Sequence, residues 1–267
     1  MAIITQTHGT LEYLVAQEIS APHAFTTRLG GVSTGIYASL NLSISRGDDR
    51  ENVLENYRRI GNILGFSPED VVNARQTHSD IVLKVTRQHC GLLLQPNASP
   101  QCDGLITNEP GIALFVSTAD CTPILLHDPI TGAVGAVHAG WRGTAADIAG
   151  KAVVAMANAY GCDPKNIRAA IGPNLGVCCF ETDGDVPQAM VETFGADAEE
   201  FIRTGGRKYY VNLKEINALA LRRAGVTDVV MSQECTMCSH DRYWSHRYTR
   251  GIRGSQGGII VCKEAHK

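Results

Sequence analysis

The middle of the chain constrains its fold most. Four short apolar runs, Leu105–Thr107, Ile112–Val116, Ile124–His127 and Val134–His138, follow one another with no room for a helix between them. Short apolar runs bounded by Gly, Pro and Asp read as buried strands, and these four read as close neighbours in one sheet. Helical spacing is found only to either side. Val53, Leu54, Tyr57, Ile60 and Leu64 form one helical face, with Asp48 or Asp49 as the candidate cap. The Ala-rich stretch Trp141–Tyr160 reads as one long helix ended by Gly161. Further strands are expected at Ala21–Thr27, Val71–Ala74, Ile81–Thr86, Ile167–Ile171, Val229–Met231 and Gly258–Val261. Further helices are expected at Asp185–Phe194 and Leu213–Ala224, the second capped by Asn212. Cys90–Gln101, with Pro96 and Pro100, reads as a loop. Strands and helices alternate only in part, which favours α+β with layered sheets over a doubly wound parallel fold. With no internal repeat, low-complexity tract or linker in view, a single domain over residues 1–267 is expected.

Charge and cysteine usage narrow the function. The formal net charge of −3 argues against a broad nucleic-acid or anionic-membrane surface. No apolar stretch approaches the ~20 residues of a membrane span. The start, MAIITQTHGTLEYL, has neither the basic region nor the long apolar run of a secretory signal, so a cytoplasmic protein with reduced thiols is expected. The nine cysteines are odd in number and irregular in spacing. Adjacent Cys178 and Cys179 read as core or wall thiols. Cys235 and Cys238 form a lone C-x-x-C. A structural zinc knot usually brings a second close pair, and none stands out. A redox pair wants a strand-to-helix turn, whereas Tyr243, Trp244 and Tyr248 make the following sequence strand-like. A structural or pocket-lining role is expected for this pair.

Three segments share one design, an apolar strand whose end carries a metal-capable side chain. His78 lies beyond Val71–Ala74, Cys121 beyond Ile112–Val116, and His138 at the end of Val134–His138. Two imidazoles and a thiolate with one position left open would make a catalytic zinc set, since structural sites are closed by four ligands. The three are too far apart along the chain for a local chelate motif. Read plainly, they would be a satisfied polar histidine pair and a small buried thiol.

Eight blocks occur in order: Thr26-Thr-Arg-Leu-Gly-Gly-Val-Ser33, Ser39-Leu-Asn-Leu42, Gln76-Thr-His78, Cys102-Asp-Gly104, Thr118-Ala-Asp-Cys121, His138-Ala-Gly-Trp-Arg-Gly143, Ile171-Gly-Pro173, and Cys235-Thr236 with Tyr243-Trp-Ser245. Together, from about residue 10 to residue 262, they resemble the family once labelled multicopper polyphenol oxidoreductase, or laccase domain. That family is now read as zinc-dependent purine nucleoside phosphorylase with adenosine deaminase activity. The resemblance implies zinc held by His78, Cys121 and His138. It also implies an αββα layered fold related to cysteine hydrolases that include a bacterial deamidating toxin. Where the family commonly reads aromatic-Ser-Tyr-Arg-Arg, this chain has Trp244-Ser-His246-Arg-Tyr248, and no role is carried to those positions.

Phosphorolysis would require a held anion, an oriented ribose and help for the departing base. Arg142, four residues after His138, is one candidate for the phosphate. Arg28, beside Gly30 and Gly31, is a second. Asn41 offers a donor and an acceptor to ribose or base. Asp103 is a candidate acid or base near the purine, or else the anchor of an Asx turn. The partners implied are a purine nucleoside and phosphate, on a monomer or homodimer. Zinc chemistry would also fit adenosine deamination, although the H-x-E…P-C-x-x-C signature of common zinc deaminases is absent. Methylthioadenosine is a further candidate substrate. Two other enzyme classes compete. Cys121 with His78 or His138 could be the nucleophile and base of an amide hydrolase, as the toxin resemblance implies, and the family resemblance brings in editing of a peptidoglycan precursor as a candidate reaction. A copper-dependent polyphenol oxidase would need many histidines, and no His-x-His pair is present, though copper could occupy a His/Cys/His site adventitiously.

Overall fold

The structure, a computed structural model, describes residues 2–95 and 97–263; Pro96, read above as a loop residue, lies outside the described residues. Three sheets organise the chain. In the first, six strands run in the order β1 (Ile3–His8), β2 (Leu11–Ala16), β3 (His23–Thr26), β15 (Gln256–Val261), β7 (Ala113–Thr118) and β4 (Val71–Asn73). In the second, six run in the order β14 (Asp228–Met231), β10 (Arg168–Ile171), β8 (Thr122–His127), β9 (Val134–Ala139), β6 (Gly104–Thr107) and β5 (Val82–Lys84). A small third sheet joins β11 (Glu181–Thr182), β13 (Lys208–Val211) and β12 (Ile202–Gly205). Both large sheets mix parallel and antiparallel pairs: β7 runs antiparallel to β15 but parallel to β4, and β10 antiparallel to β8 but parallel to β14.

Side-chain alternation explains how the sheets pack. Leu114 and Val116 of β7 meet Leu125 of β8, Ala136 of β9 and Ala170 of β10 in one core shared by both sheets. Ala113 and Phe115 point the other way, onto Val53, Tyr57, Ile60 and Leu64 of α1 (Arg50–Leu64). Tyr57 meets Phe115 edge-on, with ring centroids 5.4 Å apart. The opposite face of the second sheet, including Ile124, Leu126 and Val137, packs on α3 (Ile148–Tyr160) and α5 (Leu213–Arg223). Strands covered on both faces must be apolar at nearly every position, which is why the central runs are so continuous. No helix among the described residues is long and apolar enough to cross a membrane.

Several expected elements form as read. Asp49 caps α1, its carboxylate accepting from Glu51 N and Asn52 N. Asn212 caps α5, and α4 spans Asp185–Phe194. Three expectations need correction. The four central runs do not share a sheet: β6, β8 and β9 lie in the second, while β7 belongs to the first. The chain therefore crosses between sheets at residues 119–121. The stretch Trp141–Tyr160 is two helices, α2 (Trp141–Ala145) and α3, not one. Asp147 takes a left-handed conformation, φ 58°, and its side chain accepts from Gly150 N, ending one helix and starting the next. The aromatic segment near Tyr243 is not a strand. It is a turn leading into α6 (His246–Thr249), which Ser245 caps.

Candidate metal centre and its pocket

Two chain crossings between the large sheets and one strand of the second build the site. His78 lies in the loop from β4 to β5, Cys121 in the crossing from β7 to β8, and His138 is the fifth residue of β9. One ligand atom from each lies within 4.8 Å of the others. Cys121 Sγ is 3.9 Å from His78 Nε2, and the two imidazole centroids are 5.0 Å apart at 78°. Gly140 makes room for them: a Cβ there would sit 2.8 Å from His78 Cδ2 and 3.3 Å from Cys121 Sγ.

Asp103, just before β6, holds the arrangement from behind. One carboxylate oxygen accepts from His138 Nδ1 at 2.8 Å and from His78 N at 3.1 Å. The other accepts from Thr77 N, Ser79 N and Ser79 Oγ at 3.1, 2.7 and 2.7 Å. His78 has φ 60°, a conformation costing about 1–2 kcal/mol for a side-chain-bearing residue. The turn that bears it is fixed by its own N–H groups on this carboxylate. Burial alone would raise the Asp103 pKa, but hydrogen bonds from His138 and Ser79 hold it well below the usual carboxylate range. A carboxylate held ionised in this way is an acceptor of hydrogen bonds. Asp103, expected as an acid or base or as the anchor of an Asx turn, anchors the turn at residues 77–79 and also fixes Nδ1 of His138.

Without an ion, Cys121 and His138 form a charged pair. Burial disfavours the thiolate, but the two histidines outweigh it and lower the Cys121 pKa to about 6. Burial likewise disfavours the His138 imidazolium, but Cys121 and Asp103 raise its pKa to about 9. The thiolate is the reactive form, so alkylation of Cys121 in metal-free protein should stay fast from neutrality down to about pH 6 and fall below it. Mass-spectrometric rates of iodoacetamide labelling test this. A fall already near pH 9, the ordinary thiol value, would mean that no such pair exists.

The three side chains open into a cavity of about 340 Å³. Three residues of its wall each carry a buried polar atom without a partner among the described residues: Asn73 Oδ1, Thr118 Oγ1 and Arg253 Nε. Arg253 is anchored by Nη1 on Gly254 O and Ser255 Oγ, both at 2.8 Å. Burial and then the charge of Arg46 lower its pKa to about 10. Arg46 and Arg75 line the same cavity. Gln76 clips one wall shut, exchanging two hydrogen bonds with the Ser117 backbone at 2.7 and 2.8 Å.

The other sequence-derived candidates lie elsewhere. The Arg28 guanidinium donates to Ala38 O and His240 O and lies 3.9 Å over the Trp244 ring, outside the cavity wall. Asn41 is fully buried and its amide is saturated: Nδ2 donates to Ser43 O and Asp48 Oδ2, and Oδ1 accepts from Ser43 N and Ser255 N. It splints two wall residues, Ser43 and Ser255. Arg142 is exposed and stacks on Trp141 at 4.2 Å, also outside the wall. Sequence reasoning missed Arg46 and Arg253. Their one signal was an arginine beside glycine in a loop, the second just before an apolar strand. It also missed that Cys178 and Cys179 meet Cys235 and Cys238, whose ligand atoms lie within 4.8 Å of one another. Both groups could hold a metal ion.

These features define a mixed α+β protein with a His/Cys/His centre beside a cationic pocket. Residues 22–263 match the family model described as multi-copper polyphenol oxidoreductase laccase, and the chain belongs to that family. Among its relatives, purine nucleoside phosphorylase YlmD of Geobacillus stearothermophilus is 39% identical over 90% of this chain and 89% of its own. A purine nucleoside phosphorylase of Deinococcus radiodurans is 37% identical over 94% of this chain and 92% of its own. The crystal structure of YlmD from Geobacillus stearothermophilus superposes with a TM-score of 0.92 at 36% identity, covering 98% of this chain and all of that one.

Proposed function

We propose that this protein is a zinc-dependent purine nucleoside phosphorylase, one domain in an αββα arrangement, that converts a nucleoside and phosphate to free base and ribose 1-phosphate. The observation that carries the reading is the convergence of a three-ligand N/N/S centre with Arg46, Arg75 and Arg253 in the lining of one cavity. The names of the relatives support it. His78, Cys121 and His138 would hold the ion. Two imidazoles and a thiolate suit zinc, and Asp103, the nearby carboxylate, is committed to His138 and the turn at residues 77–79. When bound, zinc would supply Lewis acidity toward a reactant oxygen. Arg253 and Arg46 would bind the phosphate, whose charge relieves their mutual repulsion. Polar wall residues such as Ser43, Ser45 and Asn97 would offer hydrogen bonds to ribose hydroxyls or base edges.

Chromatography of products from adenosine or inosine, with and without phosphate, on metal-quantified protein tests the reading. Free base formed only with phosphate is expected; no phosphate-dependent product would end it. Inosine from adenosine would report deamination, and methylthioadenosine belongs in the same assay. Arg46→Ala should raise the phosphate KM about tenfold or more, the loss of one charge-assisted contact, and change the nucleoside KM less. Arg142→Ala should leave both unchanged. An equal shift in the two constants for Arg46→Ala would move the phosphate elsewhere.

A second reading rests on the chain of Cys121, His138 and Asp103, which matches the nucleophile, base and orienting carboxylate of a cysteine hydrolase. It requires a free thiolate. Amide hydrolysis by metal-free protein, lost on zinc addition, would favour it. A multicopper oxidase finds little support: among the described residues, histidines enter a metal-capable group only at positions 78 and 138.

A further inference from the structure

We propose that Cys178, Cys179, Cys235 and Cys238 form a second metal site, a closed four-thiolate zinc site that fixes the turn bearing Cys121. All four are free thiols, and their sulfurs lie within 4.8 Å of one another. Cys238 Sγ is 3.6 Å from Cys178 Sγ and 3.5 Å from Cys179 Sγ. Four sulfurs bound tetrahedrally at ~2.3 Å from zinc stand about 3.8 Å apart, so the side chains are already arranged near that geometry. The Gly176 N–H donates to Cys235 Sγ at 3.2 Å, an interaction suited to a thiolate. Four protein donors leave no position for a reactant, in contrast to the His/Cys/His centre.

Binding would replace four S–H bonds with four Zn–S bonds and release four protons to solvent, leaving the site with a charge of −2. A counter-charge stands beside it. Lys214 lines a cavity with Cys178 and Cys235, and its ammonium is anchored on Ser232 O and Glu234 O, both at 2.7 Å.

Both cysteine-bearing segments grip Asp120, the residue before Cys121. Thr236, inside the C-x-x-C, donates from Oγ1 to Asp120 Oδ1 at 2.6 Å. Leu175, three residues before Cys178, donates from its N–H to Asp120 O at 2.8 Å. Asp120 has φ 93°, a conformation that needs such support. A zinc joining the two segments would therefore set the direction in which Cys121 points, without touching a reactant.

Metal analysis of the purified full chain tests this independently of any phosphorylase assay. Wild-type protein grown with zinc is expected to carry two ions per chain. Cys121→Ala should keep one, and in that background cobalt should give the intense near-ultraviolet charge-transfer band of several thiolates. Adding Cys178→Ser and Cys238→Ser should abolish both the ion and the band. In the wild-type background that pair of substitutions should leave one ion and lower the thermal midpoint. The proposal is overturned by Cys121→Ala protein without metal, by an ion in that background that survives Cys178→Ser with Cys238→Ser, or by thiol titration showing disulfides among these four cysteines.

Discussion

Cys121→Ala protein should contain no metal at the His/Cys/His centre and should lose at least about a thousandfold in kcat/KM for phosphorolysis. That loss corresponds to roughly 4 kcal/mol of transition-state stabilisation. The thiolate is the one anionic donor of the three. Without it, two neutral imidazoles remain, one on β9 and one on the loop before β5, and two such donors alone bind a divalent ion weakly. Cys121 packs against Gly140 and His78, so the smaller Ala fits without a clash and the fold should survive. Zinc content and steady-state kinetics on the same preparation check the result. Retention of the ion by this variant would remove Cys121 from the ligand set, and retention of activity without the ion would sink the metal reading altogether.

Asp103→Asn should have the next largest effect. An amide keeps the shape but presents N–H groups to donors that now meet a carboxylate oxygen. At least one of Thr77 N, Ser79 N or His138 Nδ1 would face another donor. Loss of a carboxylate behind a metal-bound histidine typically costs about 10–100-fold in affinity or activity. We expect a fall of that size in kcat, weaker zinc retention against a chelator, and a lower thermal midpoint, because the turn bearing His78 loses its anchor. A wild-type rate together with wild-type zinc retention would show that the carboxylate does not act through His138.

Much of this was legible in the residues, and the reasons differ by element. The α1 helix was readable because its apolar spacing and its Asp49 cap are local facts. The strands of the central cluster were readable too, but which sheet each joins was not. Residues buried on both faces look alike wherever they lie, so β7 carries no mark of its change of sheet. The break at Asp147 was hidden in an Ala-rich run whose composition alone says helix. His78, Cys121 and His138 could be selected because each ends an apolar run and because the family resemblance aligned them. Arg28, Asn41 and Arg142 were reasonable by residue type. What disqualified them as ligands of this cavity was the set of backbone carbonyls, amides and rings that fold against them, which no local pattern reveals. The cysteine cluster was missed because two of its members are adjacent, a spacing unlike the familiar paired motifs.

The crossing of the chain between its two large sheets at residues 119–121 has a consequence for maturation. An unfolded chain cannot present His78, Cys121 and His138 together, since the first two ride on different passages between layers that have yet to dock and the third on a strand of one of them. Loading of an ion would follow assembly, and the ion would act as a latch set last. Its affinity then becomes a gauge of how well the two layers have come together, so damage deep between them would surface first as a leaking metal and only later as unfolding.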